Sequence, residues 1–226
     1  MKFLIKFPTR SRPEKFFSTL DKYISNFSTQ NEYKILVSCD NDDVTMNNND
    51  TINKLNSYSN LEYYFSERTT KVDAINRDID KIRYEWQVLI SAADDMIPVY
   101  KNYDLRIQEE MIKEYPDLDG SLWFYDGATR NINTQSILGK KYYDKLGWIY
   151  YPKYKTWFCD GEHTFYAKSI NKIKFIDECL IIHEHPGHRS GNNWDQLYLE
   201  NDQESNVEHD RLLFEERKTK GFDPKL

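Results

Sequence analysis

The 226-residue chain carries 31 basic and 37 acidic residues, a net charge of −6, with 39% hydrophobic and 30% charged residues. That length and balance suit one globular α/β domain with a sizeable core, and a net negative surface gives no default attraction to nucleic acid or to an anionic membrane. No apolar run reaches the roughly 18 residues of a membrane span, and the dispersed Cys39, Cys159 and Cys179 form no zinc ribbon or C-x-x-C redox pair. MKFLIKFP holds too short an apolar run for a secretory signal, so reduced thiols and a cytoplasmic location are expected.

In chain order, Lys2 to Phe7 reads as a strand. Pro8 to Pro13 reads as a turn into a helix, with Ser11 and Glu14 at capping-box spacing. Phe16, Phe17, Leu20, Tyr23, Ile24 and Phe27 then recur at helical spacing, which predicts one buried stripe. YKILVSC, Tyr33 to Cys39, is a second buried strand, and it ends in DNDDVTMNNND, a polar run that reads as a mobile loop. Leu61 to Phe65 suits a short third strand. Val72, Ile75, Ile79 and Ile82 mark another amphipathic helix, and WQVLISA, Trp86 to Ala92, is the strongest central strand. A helical pattern follows across Tyr103, Ile107 and Met111. The order β-α-β-β-α-β-α predicts a mainly parallel sheet with helices on its faces.

The second half is less regular. SLWFYDG reads as a strand, ILGKKYYDKLG as a short helix stopped by Gly147, IYYPKYKTWFCDGEH as an aromatic-rich loop system and KFIDECLIIHEH as one late strand. A final helix has Ser205 and Glu208 at capping-box spacing and stops at Gly221. Residues 1–226 are expected to form a single domain, with 1–100 as a ligand-binding half, 101–190 as the second half, and 191–226 as a lid segment and C-terminal helix.

In an open α/β sheet, ligands bind beyond the C-terminal ends of the strands at the topological switch point. Asp40, Asp42 and Asp43 follow the second strand, and Asp94 and Asp95 follow the fourth. Carboxylates gathered there can hold Mg²⁺ or Mn²⁺, hard cations that bridge to phosphate oxygens. The alternative is structural: Asp94 or Asp95 caps the next helix, and the Asn/Asp run is a solvated turn.

Four segments in order then resemble the family 2-like GT-A glycosyltransferases. FLIKFPTRSRPEKF is similar to the family's opening strand and turn, VSCDNDD to its second-strand acidic motif, KVDAIN to its A-x-N helix start, and WQVLISAADDMIP to the strand bearing its D-x-D motif. Ala93 stands where the first acid of that motif would be, and Asp95 keeps the last. The resemblance implies a single GT-A (Rossmann-like) domain that moves a sugar from a nucleotide-sugar, foremost a UDP-sugar, to a hydroxyl of a glycan or other acceptor. It assigns Asp40, or Asp42, to the nucleotide base, Thr9 and Arg10 to the nucleotide pocket, Lys71 to the diphosphate, Asp94 to the sugar or ribose, and Asp95 to Mn²⁺ or Mg²⁺.

FCDGEHTFYAK is similar to the family's E-D-x-E-L motif, with Cys159 in place of the first acid and His163 in place of the Leu. By that likeness Asp160 is the general base of an inverting reaction, with Glu162 as substitute. His183 and His185, two apart at the end of an apolar strand, would face one side and either converge on a metal ion, His185 being the preferred ligand, or form a polar strand end with solvated imidazoles. Arg189, in a lid-like stretch, is available to the diphosphate. Trp148, Tyr150, Tyr151, Tyr154 and Trp157 either stack on a carbohydrate acceptor or pack a core. A nucleotidyltransferase is the rival enzyme, though the chain has no P-loop or other glycine-rich phosphate loop. A non-catalytic nucleotide- or sugar-binding module is the other alternative, kept open by Ala93 and Cys159.

Overall fold

The computed structural model describes residues 1–187 and 194–225. Its centre is β1 (Lys2–Pro8), whose apolar run KFLIKF is buried on both sides, as a strand inside a parallel sheet must be. Phe3, Ile5 and Phe7 face one layer, formed by Phe16, Leu20 and Tyr23 of α1 (Pro13–Ser25) with Ile107 and Met111 of α4 (Tyr103–Glu114). Leu4 faces the other, with Val72 of α3 (Lys71–Asn76), Tyr142 of α5 (Lys140–Leu146), Ala167 of α6 (Cys159–Ser169) and Phe214 of α8 (Glu204–Thr219).

β1 pairs in parallel with β2 (Glu32–Asp40) on one side and β4 (Val88–Ser91) on the other, and β2 pairs in parallel with β3 (Leu61–Ser66). Beyond β4 lie β7 (Ile137–Gly139), antiparallel to both its neighbours, then β6 (Ser121–Phe124) and β8 (Ile173–Ile176), which are parallel to each other. The seven-stranded order is β3-β2-β1-β4-β7-β6-β8. This is the mainly parallel, helix-flanked α/β architecture that the alternation predicts. Chain order reverses between β1 and β4, so the switch-point crevice opens at the C-terminal ends of those two strands. A separate two-stranded ribbon joins β5 (Met96–Pro98) to β9 (Ile181–His183) in antiparallel register and carries His183 opposite Met96.

Local structure departs from the sequence reading at several points. Ser11 and Glu14 form no capping box: Arg12 is the N-cap, without a side-chain cap bond, while Ser11 has φ 59° and donates its N–H to Asp43 Oδ2 at 2.7 Å. The run read as a mobile loop is organised. Asp43 also accepts from Thr45, Met46 is fully buried, and Asn48 caps α2 (Asn49–Asn56) by accepting from the Thr51 N–H at 3.0 Å. The helix predicted across 72–82 breaks after α3, because Arg77 is extended and Asp78 is left-handed, φ 70°, before a 3-10 turn at Ile79–Lys81. That break sends the Asp78 carboxylate into a buried site, where Ser38 donates to it at 2.5 Å.

In the second half, the first residues of ILGKKYYDKLG are β7, and the helix begins only at Lys140. FCDGEH is not loop, since α6 starts at Cys159. KFIDECLIIHEH is two strands, β8 and β9, in different sheets. Ser205 does not cap α8, whose N-cap is Gln203, whereas Gly221 lies just past its end with φ 67° as expected. No helix among the described residues is long and apolar enough to cross a membrane.

Candidate active site

A cleft lies at the C-terminal ends of β1, β2 and β4. Nine side chains singled out in the sequence line it: Thr9, Arg10, Asp40, Lys71, Asp94, Asp95, Asp160, His183 and His185. Asp42 does not. Its exposed carboxylate holds Arg10 through two hydrogen bonds, 2.6 and 3.0 Å, and so orients that guanidinium from outside. Glu162 also lies outside the cleft, buried against Arg217, so the structure does not bring it to the other candidate groups. Arg189 lies outside the described residues.

At the end of β2, Asp40 is held from both sides. Arg77 donates to Oδ1 at 2.6 Å and Arg10 to Oδ2 at 3.1 Å. Each carboxylate oxygen keeps a second acceptor position, so a base N–H can still be received. Thr9 Oγ1, Arg10 Nε and Arg12 Nε are buried without a hydrogen-bond partner among the described residues. Native proteins rarely leave such atoms unsatisfied, and three of them in one turn suit a polar ligand.

The floor is braced from below by Lys6, whose Nζ donates to Ser38 Oγ at 2.5 Å and to the Ala74 carbonyl at 2.9 Å. Burial pulls this ammonium down to about 7, and Asp78 only partly offsets it. Through Ala74 the contact fixes α3, and with it Lys71 at the cleft wall. Asn76, the last residue of KVDAIN, ties α3 to the 149–150 segment: its amide donates to the Tyr150 carbonyl at 2.7 Å and accepts from the N–H groups of Ile149 and Tyr150.

Asp94 and Asp95 are both buried and behave oppositely. Burial and the neighbouring charge of Asp95 raise the Asp94 carboxyl, although Arg12 donates to it at 3.0 Å. Burial also acts against ionised Asp95, but the contact and charge of His183, with Lys71 and Lys15 nearby, outweigh it and hold Asp95 well below the usual carboxylate range. Asp95 therefore stays ionised. His183 Nε2 is 3.7 Å from Asp95 Oδ2, and Asp126 Oδ2 is 3.9 Å from its Nδ1. Burial lowers the imidazole, but these two acids raise it further, to about 9, so it is a cation at neutral pH. His185 stands beside it, ring centroids 5.7 Å apart, and its Nδ1 accepts the Gly187 N–H at 3.1 Å.

Asp160, in the first turn of α6, lines the same cleft. Burial raises its carboxyl, opposed by the Gly161 N–H at 2.8 Å and by the charges of Lys71 and His183. Asp210 of α8 sets the approach to this helix by accepting the N–H groups of Lys155, Thr156 and Trp157 at 2.7 to 3.1 Å. The two departures from the family motif are apolar in effect. Burial pushes the Cys159 thiol well above its ordinary value, and the buried His163 is pulled down to about 4, so both are neutral. Of the aromatics, Tyr151 and Tyr154 are buried and Trp148 packs against them, while Trp157 and the buried Tyr150 line the cleft.

Sequence reasoning missed Arg12, Arg68, Asp126 and Tyr198. Asp126 was legible, since YDG follows β6 as a third strand-end acid. Arg12 lies in the same turn as Arg10, but its partner Tyr198 is 186 positions away in sequence, and no local pattern joins them.

No protein-family model matches the chain, and no curated protein matches it in sequence. Among solved structures it is similar to residues 1–349 of S. aureus TarS, with 16% identity and a TM-score of 0.59 over 82% of this chain and 61% of that one. The same fragment in complex with UDP-GlcNAc matches over 89% of this chain and 64% of that one, with 17% identity and a TM-score of 0.59. The mannosyltransferase PcManGT from Pyrobaculum calidifontis, in complex with GDP-Man and Mn²⁺, matches with 11% identity and a TM-score of 0.60 over 84% of this chain and 58% of that one. The chain thus spans about three fifths of the length of these structures. At such identities the likeness is one of fold, and the fold of this chain is that of the GT-A glycosyltransferases.

Proposed function

We propose that this chain transfers a sugar from a nucleotide-sugar to an acceptor hydroxyl, with inversion at the anomeric carbon and Asp160 as general base. The observation that carries the reading is that three groups line one switch-point cleft: a first turn with unsatisfied polar atoms on Thr9, Arg10 and Arg12, the buried Asp95, and the Asp160 carboxyl. The solved structures of similar fold that hold UDP-GlcNAc or GDP-Man support it.

In this reading Asp40 receives the base, Thr9 and Arg10 line the nucleotide pocket, and Lys71 lies against the diphosphate. Asp94 faces the ribose or sugar. Asp160 takes the proton of the acceptor hydroxyl as its oxygen attacks the anomeric carbon; the bond from that carbon to the diphosphate oxygen breaks, and the leaving group carries away the electron pair.

The donor set suits Mn²⁺ or Mg²⁺ only in part. Among the described residues no three His, Cys, Asp or Glu side chains gather as a metal cage, but Mg²⁺ is commonly held by one or two carboxylates plus substrate phosphates. Asp95 would hold the ion, which supplies charge neutralisation at the diphosphate. For His183 to join, it must lose its proton, and His185 would join through Nδ1 by releasing the Gly187 N–H.

Calorimetric titration with UDP-GlcNAc and with GDP-Man, each with Mn²⁺ and with a chelator, tests the reading. Metal-dependent binding of one of them is expected, and absence of heat with both would sink it. Binding with no transfer to any acceptor and no donor hydrolysis would favour a non-catalytic module, the reading to which Ala93 and Cys159 lend themselves.

A further inference from the structure

Helix α7 (Gln196–Asn201) borders the cleft, and its side chains engage the groups that a donor would need. Tyr198 is 6% exposed and donates its hydroxyl hydrogen to Asp95 Oδ2 at 2.9 Å. Its ring lies 3.9 Å from the Arg12 guanidinium. Asp195, the N-cap of the helix, sits 2.5 Å from Arg12 Nη2, while Nη1 is spent on Asp94. One turn on, Glu200 is 2.7 Å from Arg68 Nη2. Arg12 and Arg68 both line the cleft. Two acids of one short segment therefore neutralise two cleft arginines, and a phenol covers the carboxylate assigned to the metal.

We infer that α7 occupies the place of the donor diphosphate: Asp195 and Glu200 stand in for its charge, Tyr198 covers Asp95, and a nucleoside diphosphate binds by displacing the helix and taking over Arg12 and Arg68. The inference rests on the donor-site reading above and adds to it a competing segment and two phosphate-binding residues. Charge makes the two occupants exclusive. A diphosphate beside Arg12 with α7 in place would meet Asp195 and Glu200, like charges in a partly desolvated cleft, and would find one face of the guanidinium covered by Tyr198.

Displacement is within reach of ordinary binding. The Arg68–Glu200 pair is 41% and 30% exposed, so it is worth a factor of about five or less in an equilibrium constant, while Arg12–Asp195 sets a 10% exposed guanidinium against a 45% exposed carboxylate and is the stronger of the two. A six-residue helix has little stability without its contacts. Apparent donor affinity is then the intrinsic affinity reduced by the fraction of molecules in which α7 is displaced.

A lid that closes over bound donor would give effects of opposite sign, which makes the test decisive. Asp195→Asn with Glu200→Gln removes both charges and preserves shape, and Asn is as good an N-cap as Asp. Titration of UDP and of GDP with Mn²⁺ at low salt is expected to show the double variant binding the preferred nucleotide about five- to tenfold tighter than wild type, the combined worth of two such pairs. Hydrogen exchange of the α7 amides in wild type is expected to quicken when that nucleotide is bound. Equal or weaker binding by the variant, or slower α7 exchange on binding, overturns the displacement while leaving the donor site intact. Failure of UDP and GDP to bind either protein overturns the donor-site reading and this inference with it.

Discussion

Arg217 grips Glu162 through two parallel hydrogen bonds, Nε to Oε2 and Nη2 to Oε1, both 2.7 Å, with side chains only 4% and 7% exposed. Tyr154 adds a third bond to Oε2 at 2.8 Å. The pair locks α8 onto α6 and commits Glu162 to structure. Removing one partner strands a buried charge, so Arg217→Met should cost about 3–5 kcal/mol by urea denaturation. Replacing both, as Glu162→Leu with Arg217→Met, should cost much less than the sum of the single changes. If Glu162→Gln instead leaves stability intact and abolishes turnover, the base has been misassigned.

His183 and Lys71 favour the ionised form of the buried Asp95, and its replacement should separate metal dependence from folding. Thermal unfolding of wild type with UDP is expected to shift upward far more in Mn²⁺ than in a chelator, through binding to the native state alone. Asp95→Asn should erase that difference while still accepting the Tyr198 hydroxyl through its amide oxygen. Unfolding of the variant in the absence of ligand would show that Asp95 serves the fold instead.

Asp160→Asn should leave donor affinity near wild type and lower transfer by about a hundredfold or more, the scale of losing a general base. The expected separation is positional, because the donor groups come from the β1, β2 and β4 ends and Asp160 from α6. Product stereochemistry by NMR supplies a second check. Retention of configuration would exclude a single displacement assisted by this carboxylate.

His163 gives the fold a defined acid sensitivity. Its Nδ1 is 3.2 Å from Ser136 Oγ, its Nε2 is buried without a partner among the described residues, and burial pulls it down to about 4. Between about pH 4 and the unfolded value near 6.5, the unfolded chain binds more protons than the native one, so stability falls as pH drops through that window. The loss from this group is on the order of 3 kcal/mol, and it is absent above the unfolded value. Denaturation of wild type and His163→Gln at pH 7 and pH 4.5 should show a smaller pH difference in the variant; equal differences would mean that His163 titrates normally.

Much of the first half was legible because it is local. KFLIKF and WQVLISA are apolar runs that only a two-sided burial satisfies, the stripe from Phe16 to Phe27 has one helical period, and acids after such strands mark a ligand edge whatever the rest of the chain does. Those patterns determined the α/β class, the core of the parallel sheet and the places of Asp40, Asp94 and Asp95. The errors came where a long-range contact overrode the local pattern. Asp78 adopts a left-handed backbone and ends a periodic helix, with its carboxylate hydrogen-bonded to Ser38 two strands away; Ser11 forgoes its cap to donate its N–H to Asp43; and KFIDECLIIHEH divides because its second part pairs with β5.

The roles of individual acids belonged to the tertiary structure alone. Asp40 and Asp42, or Asp160 and Glu162, are alike in sequence and differ only in what folding brings against them: Arg77 and Arg10 on Asp40, solvent and Arg10 on Asp42, Arg217 on Glu162, and an open cleft before Asp160. Periodicity reports which face of an element is buried, because burial repeats along the chain. It carries no record of which distant charge lies opposite, and for a carboxylate that partner decides between binding a ligand, moving a proton and holding two helices together.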